Sequence, residues 1–191
     1  MCSLQNKLQA IDQSKRKWRS FLKWMLLPIT FTLALLLIGY GYGFRINTTP
    51  SMPLGLWRIK PVTQSLKKGD IIIFCPPDNK VFRMAKARHY ISGGTCHSDY
   101  EPLLKPIVAV FGDRIFLSER GVFVNGVIIK NSKYLSRDDR GRDMPKIETG
   151  AVIMREGDIF VVSSYNEASF DSRYFRKISR KNVIGIAHKV I

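Results

Sequence analysis

The distribution of apolar residues divides the chain into two unlike parts. Trp24 to Phe44 reads WMLLPITFTLALLLIGYGYGF, with no ionisable group beyond two tyrosine hydroxyls. As a helix rising about 1.5 Å per residue, this stretch spans roughly 30 Å, the thickness of a bilayer's hydrocarbon core. Pro28 falls near its start, where a kink is tolerated, and Trp24, Tyr40 and Tyr42 suit the two interfaces. The alternatives are a buried helix of a soluble domain and a cleavable signal sequence. A signal sequence requires a shorter apolar run ending in small residues of the A-x-A kind. This run ends GYGYGFRIN instead, so a retained membrane anchor is expected.

Beyond Arg45 the period changes. LWRIK, DIIIF, IVAVF, RIFL, GVFVNGVII, AVIM, DIFVVS and VIGIAHKVI are short runs rich in Ile, Val and Phe, several of them punctuated by Gly-Asp or Asn-Gly. Such runs predict strands. The clearest case is Val122 to Ile129, two apolar runs joined through Asn125-Gly126, the pair favoured in a tight hairpin. Helical periodicity is found only at Val81–Tyr90, and weakly. The pattern therefore predicts a mostly β fold: an antiparallel domain over 45–191 with long loops at about 78–104 and 131–149, following a basic segment (1–23) and a transmembrane anchor (24–44).

Composition and charge sharpen this picture. A chain of 191 residues with three cysteines is too long and too cysteine-poor for a disulfide scaffold and too short for a large multidomain enzyme. Its formal charge is +16, of which +5 lies in the first 23 residues (Lys7, Lys15, Arg16, Lys17, Arg19 and Lys23 against Asp12), leaving +11 beyond the anchor. The positive-inside rule keeps that basic N-terminus in the cytoplasm and exports everything after Arg45, giving a single-pass inner-membrane protein with a periplasmic domain. A basic domain there suits anionic lipid headgroups or acidic partners and argues against nucleic acid.

On the exported side Cys75 and Cys96 bracket PPDNKVFRMAKARHYISGGT. In an oxidising compartment two such thiols pair, and closing that loop contributes roughly 3 kcal/mol; the alternative is two free thiols, one of them buried in a strand. His89 and His97 flank Cys96, but no Cys/His set has metal spacing, so neither metal nor cofactor is expected. A serine between prolines, Ser51 in Thr49-Pro50-Ser51-Met52-Pro53, is held in a fixed direction close to the anchor. It is either a turn residue or a nucleophile. None of His89, His97 and His188 sits in a triad-like pattern, so a base would have to be a lysine whose pKa burial lowers from about 10.4 towards 7–8. Lys105 is the one set in apolar sequence, Pro102-Leu103-Leu104-Lys105-Pro106-Ile107-Val108; the competing reading is a water-exposed lysine on an edge strand.

With the anchor, the blocks SMPLG, LKKGDIII, LLKPIVAVFGD, VFVNG and SFDSRYF stand in the order seen in type I signal peptidases. The chain resembles that family from about residue 24 onward, and most closely its conjugative-transfer branch, typified by the plasmid TraF proteins. The Pro-Leu-Gly after Ser-Met and the two cysteines resemble that branch in particular. The resemblance implies a signal-peptidase-like β domain with a Ser/Lys dyad acting through an acyl-enzyme. Ser51 matches the nucleophile and Lys105 the general base. Thr49, with the Ser51 N–H, matches the oxyanion hole, and Ser169 the serine that orients the lysine. Asp171 and Arg173 resemble a structural ion pair, and Gly112-Asp113 a turn of the family. Two departures, Pro106 after the lysine and Ser163-Ser164-Tyr165-Asn166 in place of Gly-Asp-Asn-Arg, bear on substrate preference. The implied partner is an exported precursor protein such as a conjugative pilin subunit, cleaved or cyclised. The reading from another class is a non-catalytic assembly component of a conjugation channel.

Overall fold

The computed structural model describes residues 2–146 and 149–191, and only the backbone for residues 2–14. The side chains of Lys7 and Asp12, and the part of the 131–149 loop at Ile147 and Glu148, lie outside it. α1 (Cys2–Gly41) is one unbroken helix through Pro28. Its segment Lys15–Gly41 is long and apolar enough to cross a membrane, and its large apolar side chains point outward, Trp24 and Leu27 among them. Thr30 and Thr32 donate back to the carbonyls of Leu27 and Pro28 at 2.9 and 2.8 Å, which leaves neither hydroxyl proton unmet in an apolar medium.

Arg45–Ile191 forms a separate compact unit. Its strands follow the runs of Ile, Val and Phe: β1 (Phe44–Asn47), β2 (Gly55–Lys60), β3 (Ile71–Phe74), β4 (Leu103–Ala109), β5 (Arg114–Ser118), β6 (Gly121–Val124), β7 (Val127–Ile128), β8 (Gly150–Ile153), β9 (Asp158–Val161), β10 (Ile178–Ser179) and β11 (Val183–Lys189). They make a seven-stranded sheet in the order β1-β2-β11-β3-β4-β9-β10 and a four-stranded sheet in the order β7-β6-β5-β8. Pairing is antiparallel from β2 to β10 and throughout the smaller sheet. The fold is thus mostly β and antiparallel behind an apolar N-terminal helix, as the pattern predicted. The Asn125-Gly126 turn joins β6 to β7 with φ of 51° and 85°, the left-handed pair that a two-residue hairpin requires.

Within the 78–104 stretch, α2 (Lys80–Ala87) forms where the weak helical periodicity of Val81–Tyr90 lies, capped by Asn79, whose Oδ1 accepts from the N–H groups of Val81 and Phe82 at 2.9 and 3.0 Å. The bond between the Cys75 and Cys96 sulfurs ties the end of β3 to the segment after α2, with Cα atoms 5.5 Å apart. More important for function, β4 begins at Leu103, four residues before the apolar run, and lies between β3 and β9. Alternation along it turns Leu103, Lys105, Ile107 and Ala109 to the buried side. Lys105 therefore occupies a core row of a central strand and not an exposed edge. Behind it lies an aromatic cluster in which Phe82 and Phe175 have centroids 4.8 Å apart and Phe170 stacks on Tyr174 at 5.8 Å. α3 (Ser172–Phe175) supplies two of these rings.

Candidate active site

The serine turn is fixed from several directions. Pro50 and Pro53 restrict φ on either side of Ser51. Between them and β2, the Met52 side chain packs with Trp57 and Ala187 in a small core of its own, and Trp57 Nε1 donates to the Pro53 carbonyl at 3.1 Å. Gly55, with φ of 124°, closes the turn where a Cβ would collide with the Ile191 carbonyl oxygen, so no other residue fits there. At the end of β1 the Asn47 amide reaches into the turn. Its Nδ2 donates to the carbonyls of Thr49, Met52 and Pro53 at 3.0, 3.1 and 3.0 Å, and its Oδ1 accepts from Thr49 N and Oγ1 at 3.2 and 2.9 Å. Carbonyls only accept, so this set of partners fixes which way the amide points.

Thr49 Oγ1 and Ser51 Oγ lie 3.4 Å apart. The one hydroxyl proton of Thr49 is given to Asn47, so in that contact Ser51 is the donor. On its other side the Ser51 carbonyl accepts from Ser163 Oγ.

Lys105 is 3% exposed, and its Nζ donates to Ser169 Oγ at 3.0 Å. Burial is the largest influence on this amine. With a smaller push from Arg173, and against Asp171 and Glu101, it lowers the pKa from 10.5 to about 8. Asp171 and Arg173 are both fully buried and meet in a two-pronged pair, Nε to Oδ1 at 2.8 Å and Nη2 to Oδ2 at 2.9 Å. Around the pair every polar atom is matched. Asp171 Oδ2 accepts from Ser163 N at 3.0 Å, and Arg173 Nη2 donates to the Ser169 carbonyl at 2.8 Å. Arg173 Nη1 also donates to the carbonyls of Glu167 and Lys133. Although burial opposes its charge, Asp171 holds the guanidinium pKa above its ordinary value. One ion pair thus holds both the residue that touches the Ser51 carbonyl and the residue that touches the lysine amine.

Ser51, Thr49, Lys105 and Ser169 line a single cleft of about 450 Å³, with Leu104 and Phe170 among its apolar walls. Asp171 and Arg173 stand behind it. Gly112-Asp113 lies outside it, in the turn from β4 to β5, where Gly112 has φ of 85°. Asp113 Oδ1 accepts from Lys68 and Asn125 at 2.8 and 2.7 Å, and its Oδ2 from Val110 N at 2.9 Å. Burial raises this carboxyl, but those donors outweigh it and hold the pKa below the usual carboxylate value. Cys75 and Cys96 also lie away from the cleft. Among the described residues, no group of three or more His, Cys, Asp or Glu is gathered as a metal site. Sequence reasoning did not single out Asn47, and it named Ser163 only within the 163–166 departure, with no role beside Ser51. Asn47 directly precedes Thr48-Thr49, and Ser163 directly follows the apolar run of β9, but neither type nor spacing marks them.

The family model described as "Signal peptidase, peptidase S26" matches residues 18–191, and the chain belongs to that family. It is 35% identical over 161 residues to a plasmid transfer protein TraF of Escherichia coli, covering 83% of this chain and 89% of that protein. It is 38% identical over 155 residues to a probable conjugal transfer protein TraF of Sinorhizobium fredii, covering 80% and 79%. With signal peptidase I V of Bacillus subtilis it shares 27% identity over 130 residues, covering 64% and 65%. A solved signal peptidase I from Enterococcus faecalis is similar at 19% identity with a TM-score of 0.36, over 64% of this chain and 97% of that one.

Proposed function

We propose that the protein is a membrane-anchored serine endopeptidase acting on exported precursor proteins, with Ser51 as nucleophile and Lys105 as general base. The observation that carries this reading is a lysine amine sealed in the core of the sheet yet lining the same cleft as the Ser51 hydroxyl, with its pKa brought down to about 8. A neutral amine there accepts the Ser51 proton as Oγ bonds to the scissile carbonyl carbon. Thr49 Oγ1 and the Ser51 N–H donate to the oxyanion, an interaction commonly contributing about 3 kcal/mol per donor. The C–N bond then breaks, and the Lys105 ammonium returns its proton to the departing amine. An acceptor attacks the acyl-enzyme, loses its proton to Lys105, and Ser51 regains one. Water as acceptor gives hydrolysis; the substrate's own amino terminus gives a cyclic product.

The positive-inside charge of residues 1–23 supports a cytoplasmic N-terminus, α1 as anchor and a periplasmic domain at the lipid surface. Relatives named for plasmid and conjugal transfer support a substrate of the transfer machinery, such as a pilin precursor with small residues before the cut.

Intact-mass measurement of that precursor, co-expressed with the wild type or Ser51→Ala, tests the reading. The wild type is expected to give a shortened product, one water lighter than the linear form if it cyclises. Ser51→Ala is expected to leave full-length precursor while still inserting. Unchanged processing by Ser51→Ala would instead indicate a non-catalytic assembly component. A second variant probes the support for the nucleophile. Ser163→Ala removes the donor to the Ser51 carbonyl, worth about 1 kcal/mol, and is expected to lower kcat about fivefold at constant KM. Steady-state cleavage of a quenched fluorescent peptide checks it, and a change confined to KM would assign Ser163 to substrate binding.

A further inference from the structure

Nothing in the serine–lysine reading uses Asn47, yet its amide makes five hydrogen bonds to Thr49, Met52 and Pro53. We propose that Asn47 is a positioning residue for the Ser51 chemistry, holding the Thr49 hydroxyl oxygen in place and bracing the turn that carries the nucleophile. The inference rests on the peptidase reading above and names a residue which that reading lacks.

The hydrogen bonds run in one direction: Ser51 O–H to Thr49 Oγ1, and Thr49 O–H to Asn47 Oδ1. In the free protein the Ser51 proton is therefore aimed at Thr49, and the Thr49 proton is committed to Asn47. Attack needs both to turn, Ser51's towards Lys105 Nζ and Thr49's towards the substrate carbonyl oxygen. A hydroxyl proton can swing about the C–O bond while its oxygen stays where it is. Asn47 Oδ1 supplies the resting partner for that swing. Its Nδ2 independently ties the carbonyls on both sides of Ser51, those of Thr49, Met52 and Pro53, to the end of β1. Thr49 sits on an exposed turn, so without the amide its hydroxyl has water for a partner and its side chain more than one rotamer. Preorganisation of the oxyanion donor is then lost.

The two parts of this role separate in a double-mutant cycle on the full-length protein in detergent. Cleavage of a quenched fluorescent peptide with alanines before the scissile bond is the readout. Asn47→Ala removes both the contact to Thr49 and the brace, and is expected to lower kcat about thirtyfold with KM within about threefold. On a Thr49→Val background, where the hydroxyl is already absent, the same change is expected to cost only about fivefold, the share of the brace. Asn47→Asp keeps an acceptor facing Thr49 but sets a carboxylate oxygen against the three carbonyls in place of the donor. It is expected to cost more than about fivefold, by the same factor on either background. An equal factor for Asn47→Ala on both backgrounds, an effect in KM alone, or no effect of Thr49→Val overturns the proposal. If circular dichroism shows Asn47→Ala unfolded, Asn47→Asp decides, and a factor that vanishes with Thr49→Val overturns it. Wild-type cleavage by Ser51→Ala is a separate outcome, since it removes the peptidase reading itself.

Discussion

Lys105→Met is expected to abolish turnover and, at neutral pH, to make the fold more stable. An amine whose pKa falls from 10.5 to about 8 on folding costs about 3 kcal/mol in its charged form relative to the unfolded chain. Below about pH 8 both states hold the proton and the folded state bears the whole cost. Between about 8 and 10.5 the unfolded chain keeps a proton that the folded one has released, so the wild type gains stability as pH rises through that window. Methionine fills a similar volume without charge. Leaving the Ser169 hydroxyl without its donor takes back about 1 kcal/mol, so a net gain of about 2 kcal/mol is expected at pH 7. Denaturant unfolding of both proteins at pH 7 and pH 10 tests this, since the difference must shrink at the higher pH. A methionine variant less stable at pH 7 would contradict the cost assigned to the buried amine.

Activity moves the other way. The rate of the wild type is expected to rise about tenfold per pH unit towards about 8 and then level off, as the neutral base accumulates. Lys105→Arg is expected to be inert across that range, because a guanidinium keeps its proton. A gain in stability that coincides with loss of turnover is the mark of a group held under strain for chemistry, not for folding.

How far these residues could be read in advance depended on whether their signal was local. The strands and the hairpin at Asn125-Gly126 were legible because short runs of Ile, Val and Phe and left-handed turn residues are properties of a few neighbouring positions. The order β1-β2-β11-β3-β4-β9-β10 was not, since it joins the end of the chain to its middle. Lys105 shows the boundary between the two. Its apolar surroundings were visible, but the Lys-Pro pair obscured the start of β4, and only the pairing of Ile72 with Lys105 and Ile107 with Val161 places that strand inside the sheet. Asn47 and the contact of Ser163 with Ser51 escaped for a related reason. An asparagine bonded to carbonyls two to six residues on resembles any loop asparagine. Ser163 meets Ser51 across 112 positions of sequence, a separation that no motif spans.

The buried ion pair carries the other large effect. Asp171→Asn is expected to destabilise the protein by about 3 kcal/mol and to lower kcat about a hundredfold, although the two side chains have the same size. All four of the described contacts to this carboxylate are N–H groups: Arg173 N and Nε on Oδ1, Ser163 N and Arg173 Nη2 on Oδ2. An asparagine in either orientation sets its own NH2 against two of them and leaves a fully buried guanidinium without its counter-charge. The consequences reach the cleft by two routes, through Ser163 to the Ser51 carbonyl and through the Arg173 bond to the Ser169 carbonyl. Ser51 and Lys105 therefore lose their alignment at once, and the loss should fall mainly on kcat. Urea unfolding and peptide cleavage measured side by side test the claim. An Asp171→Asn protein within about 0.5 kcal/mol of the wild type, the range of an ordinary surface substitution, would mean that the pair is not what holds the two halves of the site together. A large loss of stability with kcat intact would separate the pair from the chemistry altogether.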